Sequence, residues 1–376
     1  MRIKTIINPI VSLQICVCLA ACTDFADEML SEDASSSHRL EVITQSEINL
    51  SGLNPELNIA RVRRFAALDP NGERFVLADD EFNKLHMFDI NGQHLNSFGG
   101  SGRGPTEFIR INAFGMDENG YIITYDASQD LIRGFHQDGS LAFTHEGLLL
   151  DGLWNRSDRI SVANGKLIFS VAEAKYSSSS DFWKSALVAV YNYDGELQYL
   201  MGSHDPVNIN TDRLYKFAYH EYDRQNNIVY LSQRVNYRIL AFGMGEKVPA
   251  RKFGFKAESY KVWKDEARVD ELIDERRAKN VQQSFSNLPF SCENYFFYHY
   301  MNMTEDFYES RSHEHTDFYF SVFEKETYRY LGSYQFQDSY ALAVTDDCRI
   351  ITLVDDDPDR LTLGLKEIKV IPNSGE

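Results

Sequence analysis

The sequence lacks the features that mark disulfide-rich scaffolds and most recognisable enzymes. Only five of its 376 residues are cysteine. Two of these lie in the N-terminal apolar segment, which leaves Cys22, Cys292 and Cys348, too few for a disulfide scaffold. There is no nucleophile elbow, no catalytic serine motif and no zinc-type cysteine pair. After the N-terminal segment, no apolar run reaches the roughly 20 residues that a membrane-spanning helix needs.

Basic residues are also scarce. The chain has 38 Lys and Arg against 56 Asp and Glu, a formal net charge of −18 at pH 7. A field of this sign repels nucleic acid and anionic membrane surfaces. We therefore expect no nucleic-acid partner, while a protein or a glycan ligand remains open.

The N-terminus is typical of a targeting segment. Arg2 and Lys4 precede a mostly apolar stretch from Ile6 to Ala20, and Leu19-Ala20-Ala21-Cys22 resembles a bacterial lipobox. The resemblance implies cleavage before Cys22 and a lipid on its thiol. We predict a signal peptide over 1–21 and a flexible tether over 22–39, rich in Ser, Asp and Glu. The predicted location is the cell envelope, as an outer-membrane lipoprotein on either its periplasmic or its surface face.

A repeat decides the expected fold. Residues 68–99 and 116–147 share an Asp-x-Asn-Gly turn, an apolar run that ends in Asp, and a second turn at Asn91-Gly92 or Asp138-Gly139. Asn-Gly and Asp-Gly supply the positive φ of two-residue hairpins, and the runs between them are β-branched and aromatic. Each unit is therefore a small antiparallel sheet with two apolar faces. Radial stacking of such sheets buries both faces, as in a β-propeller.

Weaker copies of the unit follow along the chain. Turn-and-strand patterns open further units near Asn164, Asp223, Asn294 and Asp346, which gives six blades over 40–376. Leu40 to Leu50 has strand character, and we expect it to complete the last blade and close the ring. Seven blades, with that segment starting its own blade, is the alternative.

The stretch from Phe98 to Phe108, FGGSGRGPTEF, followed by an inner strand and Met116-Asp117-Glu118-Asn119-Gly120, resembles an NHL-type repeat. The chain is most similar to the six-bladed NHL- or TolB-like propeller lipoproteins of Bacteroidetes. This resemblance implies an all-β fold and an extracytoplasmic location. It implies no definite activity, because propellers of this shape serve as binding modules, scaffolds and, in some cases, hydrolases or lyases.

The Gly-rich loop at Gly99–Pro105 is not a phosphate loop, because neither Lys-Ser/Thr nor a helix follows it. In a propeller it crosses from the outer strand of one blade to the inner strand of the next. Arg103 and Glu107 are candidates for the channel mouth, although a local ion pair between them is the simpler expectation.

Metal-ligating residue types cluster in two places. His313 and His315, two residues apart, would share a face on a strand and reach one ion, but the polar stretch from Met303 to Thr316 favours a solvent loop. The carboxylate run Asp355–Asp359 suits a hard cation but lacks EF-hand spacing, so an exposed hairpin connection is expected. We predict no cofactor, although a structural divalent cation is conceivable.

One segment departs from the β pattern. Between Ser259 and Phe285, apolar residues recur at three- and four-residue spacings among charges, which predicts an amphipathic helix inserted between blades four and five. It would be either a packed decoration or a lid that covers a face. A shorter insertion, Tyr176–Trp183, is expected to be a loop.

Two questions stay open at this level. Cys292 and Cys348 sit near the starts of successive units, and whether their Cα atoms come within the roughly 7 Å of a disulfide is not visible in the sequence. The expected function is a binding or scaffold module anchored to the membrane by its lipid. The alternative is a hydrolase or lyase with a metal or carboxylate site in the central channel.

Overall fold

A computed structural model describes seven stretches of the chain. These are residues 38–69, 71–176, 184–205, 217–262, 272–310, 316–337 and 339–372. Within these stretches, none of the helices has the length and apolar character needed to cross a bilayer.

Six antiparallel units follow one another along the chain and form the blades of a β-propeller, and a parallel bridge joins the second unit to the third. Blade one holds β2 (Val62–Leu68), β3 (Arg74–Asp79), β4 (Lys84–Asp89) and β5 (His94–Gly99). Blade two holds β6 (Ala113–Met116), β7 (Ile122–Asp126), β8 (Leu131–Phe135) and β9 (Leu141–Glu146). Blade three holds β10 (Leu153–Ala163), β11 (Lys166–Glu173), β12 (Val188–Asn192) and β13 (Leu197–Met201).

The other three blades have the same plan, with small variations. Blade four holds β14 (Ala218–Asp223), β15 (Ile228–Gln233), β16 (Ile239–Gly243) and β17 (Arg251–Phe253). Blade five holds β18 (Ser284–Ser286), β19 (Phe290–Ser291), β20 (Tyr295–Met303), β21 (Thr316–Glu324) and β22 (Tyr330–Phe336). Blade six holds β23 (Tyr340–Val344), β24 (Arg349–Asp355), β25 (Thr362–Pro372) and β1 (His38–Asn49). Short helices are α1 (Leu50–Leu53), α2 (Ile273–Val281), α3 (Glu305–Ser310) and a 3₁₀ turn at Ala174–Tyr176.

The ring closes as the sequence predicted. β1 pairs antiparallel with β25 over the whole strand, from His38 opposite Pro372 to Asn49 opposite Thr362. The N-terminal strand therefore becomes the outermost strand of blade six, which otherwise comes from the C-terminal end of the described chain. The chain runs from β1 into blade one, while β1 itself is hydrogen-bonded to blade six. The backbone hydrogen bonds of β1 therefore hold the first and last blades together. The count is six, and the seven-blade alternative is wrong.

The repeated aspartates explain why blades one and two look alike in sequence. Asp69 and Asp117 cap the first hairpin by accepting backbone N–H groups, from Glu73 at 2.8 Å and from Tyr121 at 2.7 Å. The aspartate that ends the second strand is fully buried. In blade one, Asp79 accepts the N–H groups of Ala60 and Glu81, both at 2.8 Å. These carboxylates satisfy backbone groups that the turns leave without partners.

A disulfide joins blades five and six. Cys292 and Cys348 are bonded, with their Cα atoms 5.1 Å apart. The sequence left this pairing open because the two residues are 56 positions apart and belong to different sheets. The bond therefore links blade five covalently to blade six, which β1 completes.

The helix predicted within Ser259–Phe285 is present between blades four and five, and it is shorter than this span. In the described residues, α2 covers Ile273–Val281, and residues 263–271 lie outside the described part of the chain. Leu272 and Ile273 are 72% and 53% exposed, so they do not form a buried apolar stripe. Phe285 belongs to β18, because Ser284–Ser286 pairs with β20 and buries the ring. Edge pairing with a ready sheet therefore overrode the helical spacing.

Candidate functional site

The innermost strands of the blades run parallel and surround a central channel. Parallel pairing of β6 and β10, at Phe114 and Arg159, shows their common direction. All inner strands therefore begin at one end of the channel, here called the loop end, around Arg63, Arg156 and Phe217. They finish at the other, the turn end, at the first hairpins of the blades, where a cavity of about 150 Å³ is lined by residues of all six blades.

Arg159 crosses the middle of the channel from blade three. Its guanidinium stacks on Phe65 of blade one at 5.1 Å and on Phe290 of blade five at 4.9 Å from the ring centroids. It pairs with Glu221 of blade four and donates to the carbonyl oxygen of Pro289 at 2.7 Å. This one side chain therefore ties blades one, three, four and five together and separates the two ends of the channel.

The Arg159 pair is buried, and Nη1 of Arg159 contacts Glu221 and the carbonyl oxygens of His220 and Pro289. Arg159 is 6% exposed, and Glu221 also accepts the Ser291 backbone N–H at 3.1 Å and its hydroxyl at 2.8 Å. Burial lowers the pKa of Arg159, and the charge of Glu221 opposes that shift. Burial likewise raises the pKa of Glu221, opposed first by Arg159. A buried ion pair of this kind is stable only while both partners and their hydrogen bonds are present.

The turn end repeats the same arrangement. Lys325 of blade five lies 2.7 Å from the Asp223 carboxylate of blade four, and its ammonium donates to the Cys292 carbonyl at 2.8 Å. Both side chains of the ion pair are almost completely buried. Nearby, burial raises the pKa of Asp346, while the positive charges of Arg224 and Lys325 oppose the shift. Cations at this end face carboxylates.

The loop end is different. There, five side chains from three blades alternate between aromatic ring and guanidinium, and we call them the arginine–aromatic ladder. Its members in order are Trp154, Arg156, Phe217, Arg234 and Phe285. Successive guanidinium-to-centroid distances are 5.2, 4.9, 5.9 and 5.2 Å. Each guanidinium lies within 6 Å of two ring centroids, a distance at which the ring faces attract the cation.

Backbone bonds fix the ladder in place. The N–H of Arg234 donates to the Phe217 carbonyl at 2.9 Å, and the N–H of Ser286 donates to the Arg234 carbonyl at 2.7 Å. The Arg234 side chain donates to the Tyr219 hydroxyl at 2.9 Å. The ladder therefore stands on rigid strand ends of blades three, four and five. It becomes more buried along its length, from Trp154 at 38% exposed to Phe285 at 1%.

Neither ladder arginine has a carboxylate partner. Among the residues that the structure describes, no Asp or Glu lies within 4.0 Å of either guanidinium, and the buried Nε of Arg156 has no hydrogen-bond acceptor. Burial alone accounts for the lowered pKa of Arg156. An unpaired guanidinium edge in a chain of net charge −18 is the most unusual electrostatic feature of the loop end.

Other arginines at the loop end are occupied. Arg63 lies 2.8 Å from Asp80, 3.4 Å from Asp158 and 2.9 Å from the Asn112 carbonyl. Arg64 stacks on Tyr340 at 5.6 Å, and the charges of Tyr340, Asp356 and Asp158 oppose the lowering of its pKa by burial. These contacts hold blades one, two, three and six together at this rim.

Comparison with known proteins agrees with this geometry. A family model described as a 6-bladed beta-propeller, DUF5128, matches residues 56–356. The chain belongs to the DUF5128 family. A search of curated proteins found no match.

Solved structures show the same fold at low identity. The DUF5128 chain is 10% identical to a DUF4221 family member from Bacteroides vulgatus, with a TM-score of 0.63, covering 88% of this chain and 98% of that one. It is 14% identical to an exported protein of Bacteroides fragilis, with a TM-score of 0.53, covering 91% and 98%. A gluconolactonase of Xanthomonas campestris is 11% identical, with a TM-score of 0.50, covering 88% and 90%.

The site residues predicted from the sequence of the DUF5128 chain are not brought together. Arg103 and Glu107 are exposed in the crossing from β5 to β6, and neither lines the channel cavity. Glu107 accepts the Gly104 N–H at 2.8 Å, and no Arg103–Glu107 ion pair forms among the described residues. A short turn brings the Glu107 carboxylate back onto its own loop, so the predicted ion pair with Arg103 does not form.

Other predicted positions of the DUF5128 chain have different outcomes. Cys22, His313 and His315 lie outside the described residues. The run Asp355–Asp359 connects β24 to β25, which confirms the hairpin, and Arg360 pairs with Asp357 at 3.2 Å. In the described parts of the chain, no three His, Cys, Asp or Glu side chains are arranged to hold a metal ion.

The ladder was missed by sequence reasoning about the DUF5128 chain. One local signal was available: Trp154 and Arg156 are two residues apart at the start of a strand and so share a face. Their partners Phe217, Arg234 and Phe285 come from two other blades. These residues come into one row only because the blades are arranged around a common channel. Only the structure shows which arginines have no carboxylate partner among the described residues.

Proposed function

We propose that this protein is an extracytoplasmic binding module, anchored to the outer membrane by a lipid on Cys22, whose ligand site is the loop end of the channel. The arginine–aromatic ladder is the observation that carries the proposal. Preformed pockets with aromatic walls and a few directed polar groups are typical ligand sites. The exported relative from Bacteroides fragilis and the lipobox-like Leu19–Cys22 segment support the location.

The position of the ladder supports binding without chemistry. Its members are rings and guanidinium groups, which hold ligands but transfer no proton near pH 7, because an arginine keeps its proton in proteins. They stand on strand ends instead of long loops, so the site is organised before a ligand arrives. A site of this kind loses little conformational entropy on binding.

A ligand screen with matched variants tests the proposal. The full chain is mixed with envelope glycans and peptides, and ligands are scored by the rise in melting temperature, since a molecule that binds only the folded state stabilises it. Trp154→Ala removes the exposed ring at the loop end, and Asp346→Asn alters the turn end. We expect the shifts to disappear in Trp154→Ala and to remain in Asp346→Asn. Shifts lost only in Asp346→Asn would place the site at the other end and reject the proposal.

A second candidate is a hydrolase or lyase that uses carboxylates at the turn end. One observation favours it: the turn-end cavity contains Asp346, whose pKa is raised by burial, next to Arg224 and Lys325. A carboxyl group with a raised pKa in a cavity is a common general acid. Turnover of ester, lactone or glycoside substrates that Asp346→Asn abolishes and Trp154→Ala leaves intact would favour this candidate.

A further inference from the structure

The ladder has a second property beyond its position, namely its charge. Arg156 and Arg234 bring two positive charges to within one aromatic ring of each other, since both stack on Phe217. Like charges so placed repel, and burial adds a desolvation cost for Arg156. In the middle of the channel and at the turn end, the same problem is solved by Glu221 and Asp223. For Arg156 and Arg234 the described chain supplies no carboxylate within 4.0 Å.

The Arg156 guanidinium carbon lies 5.2 Å from the Trp154 ring centroid and 4.9 Å from the Phe217 ring centroid. Among the described residues, no Asp or Glu pairs with this guanidinium, and its buried Nε has no acceptor. A guanidinium is planar and binds a carboxylate through two parallel hydrogen bonds.

The neighbouring surface suggests what carries the carboxylate. Trp154 stays 38% exposed next to Arg156, and an exposed indole is a flat apolar platform. A sugar ring offers a matching flat face of C–H groups, and a uronic acid adds one carboxylate at its edge. A long polyanion fits badly, because the chain as a whole carries −18 and repels extended negative charge.

Resting on the proposed function, we propose that the ladder binds a short acidic saccharide, with a uronate carboxylate on Arg156 and Arg234 and the sugar face on Trp154. The ligand then supplies the negative charge that the protein omits. The structure assigns Arg156 as the main contact, because it stacks on the exposed Trp154 and has no carboxylate partner among the described residues.

A matched pair of probes tests the proposal. Digalacturonic acid and its dimethyl ester have the same rings and differ in charge, and both are titrated into the full chain by calorimetry. We expect the acid to bind and the ester to bind about 10- to 100-fold more weakly, the range for losing a charged hydrogen-bonded contact. Equal affinity for acid and ester would overturn the proposal while leaving a neutral-ligand binding module intact. No binding of the acid would also overturn it.

Variants locate the contact. Arg156→Met should weaken binding of digalacturonic acid by about the same factor as esterification does, and it should leave the affinity for the ester unchanged. Arg156→Lys, which keeps the charge but loses the two-pronged edge, should fall between wild type and Arg156→Met. The control is Arg103→Met, which removes an exposed arginine outside the channel and should change neither affinity. A circular-dichroism melt confirms folding of each variant.

Two further outcomes would count against the assignment. If Arg156→Met binds the acid as well as wild type does, the carboxylate lies elsewhere. If an acidic peptide binds more tightly than digalacturonic acid and is lost in Arg156→Met, the ladder recognises carboxylates on peptides and the saccharide assignment is wrong.

Discussion

The arginine–aromatic ladder differs from the centre and the turn end of the channel in what faces its positive charges. In the middle and at the turn end, Arg159 and Lys325 are buried against Glu221 and Asp223. At the loop end, Arg156 and Arg234 lie between aromatic rings without a carboxylate among the described residues. The first arrangement links blades through ion pairs and hydrogen bonds. The second arrangement holds guanidinium groups rigidly and leaves their edges available.

The difference shows how a structural cation can be separated from a binding cation. Burial lowers the pKa of both Arg159 and Arg156, so burial alone does not distinguish them. What distinguishes them is the partner: a carboxylate from another blade in one case, and two rings in the other. We infer that the paired arginine maintains the ring and the stacked arginine serves a ligand.

The largest expected effect comes from breaking the central pair. Arg159→Met leaves Glu221 buried without its counter-charge, and we expect unfolding free energy to fall by about 3–5 kcal/mol. Adding Glu221→Gln to Arg159→Met should restore part of that loss, because the unpaired charge is gone. Urea denaturation of both variants measures this. If the double variant is no more stable than the single one, the ion pair is not what the arginine contributes.

A smaller effect should appear with pH in the same region. His220 is fully buried, bonded to Ser170 at 2.7 Å, and burial, followed by the charge of Arg159, lowers its pKa from 6.5 to about 3. The folded state keeps this ring neutral, while the unfolded chain takes up a proton below pH 6.5. Stability from this group is therefore complete above pH 6.5 and falls as pH drops toward 3, by about 2 kcal/mol at pH 5.

A pair of variants isolates that contribution. In wild type, lowering the pH from 7 to 5 should reduce the unfolding free energy. His220→Asn should make that reduction smaller by about 2 kcal/mol. His136→Gln, which replaces an exposed histidine, should leave the dependence unchanged. Parallel pH profiles for wild type and His220→Asn would show that the buried ring is not the titrating group.

The parts of the fold set by local chemistry could be predicted. Turns such as Asn91-Gly92 and Asp138-Gly139 need positive φ, and the structure has it at Gly92 and Gly139, at 84° and 81°. Closure by β1 followed from strand character together with the need to cover an edge. These predictions depend on residues close together in the chain or on a general property of sheets.

The rest depends on contacts between blades. The bond between Cys292 and Cys348, the crossing of Arg159 and the row from Trp154 to Phe285 all join different sheets, and nothing in local spacing fixes those distances. The helix between blades four and five ends before Phe285 for the same reason, since Phe285 pairs with the edge of β20. The arrangement of the blades around the channel decides which arginine faces a carboxylate. The site therefore could not be predicted from the sequence.

The most direct test compares two substitutions of the same kind in one experiment: the urea unfolding free energies of Arg159→Met and Arg156→Met. We expect Arg159→Met to lose about 3–5 kcal/mol, because it strands a buried carboxylate. We expect Arg156→Met to stay within about 1 kcal/mol of wild type, because it removes an unpaired charge and keeps an apolar side chain between the rings. Equal losses, or a larger loss for Arg156→Met, would contradict the division between structural and binding cations.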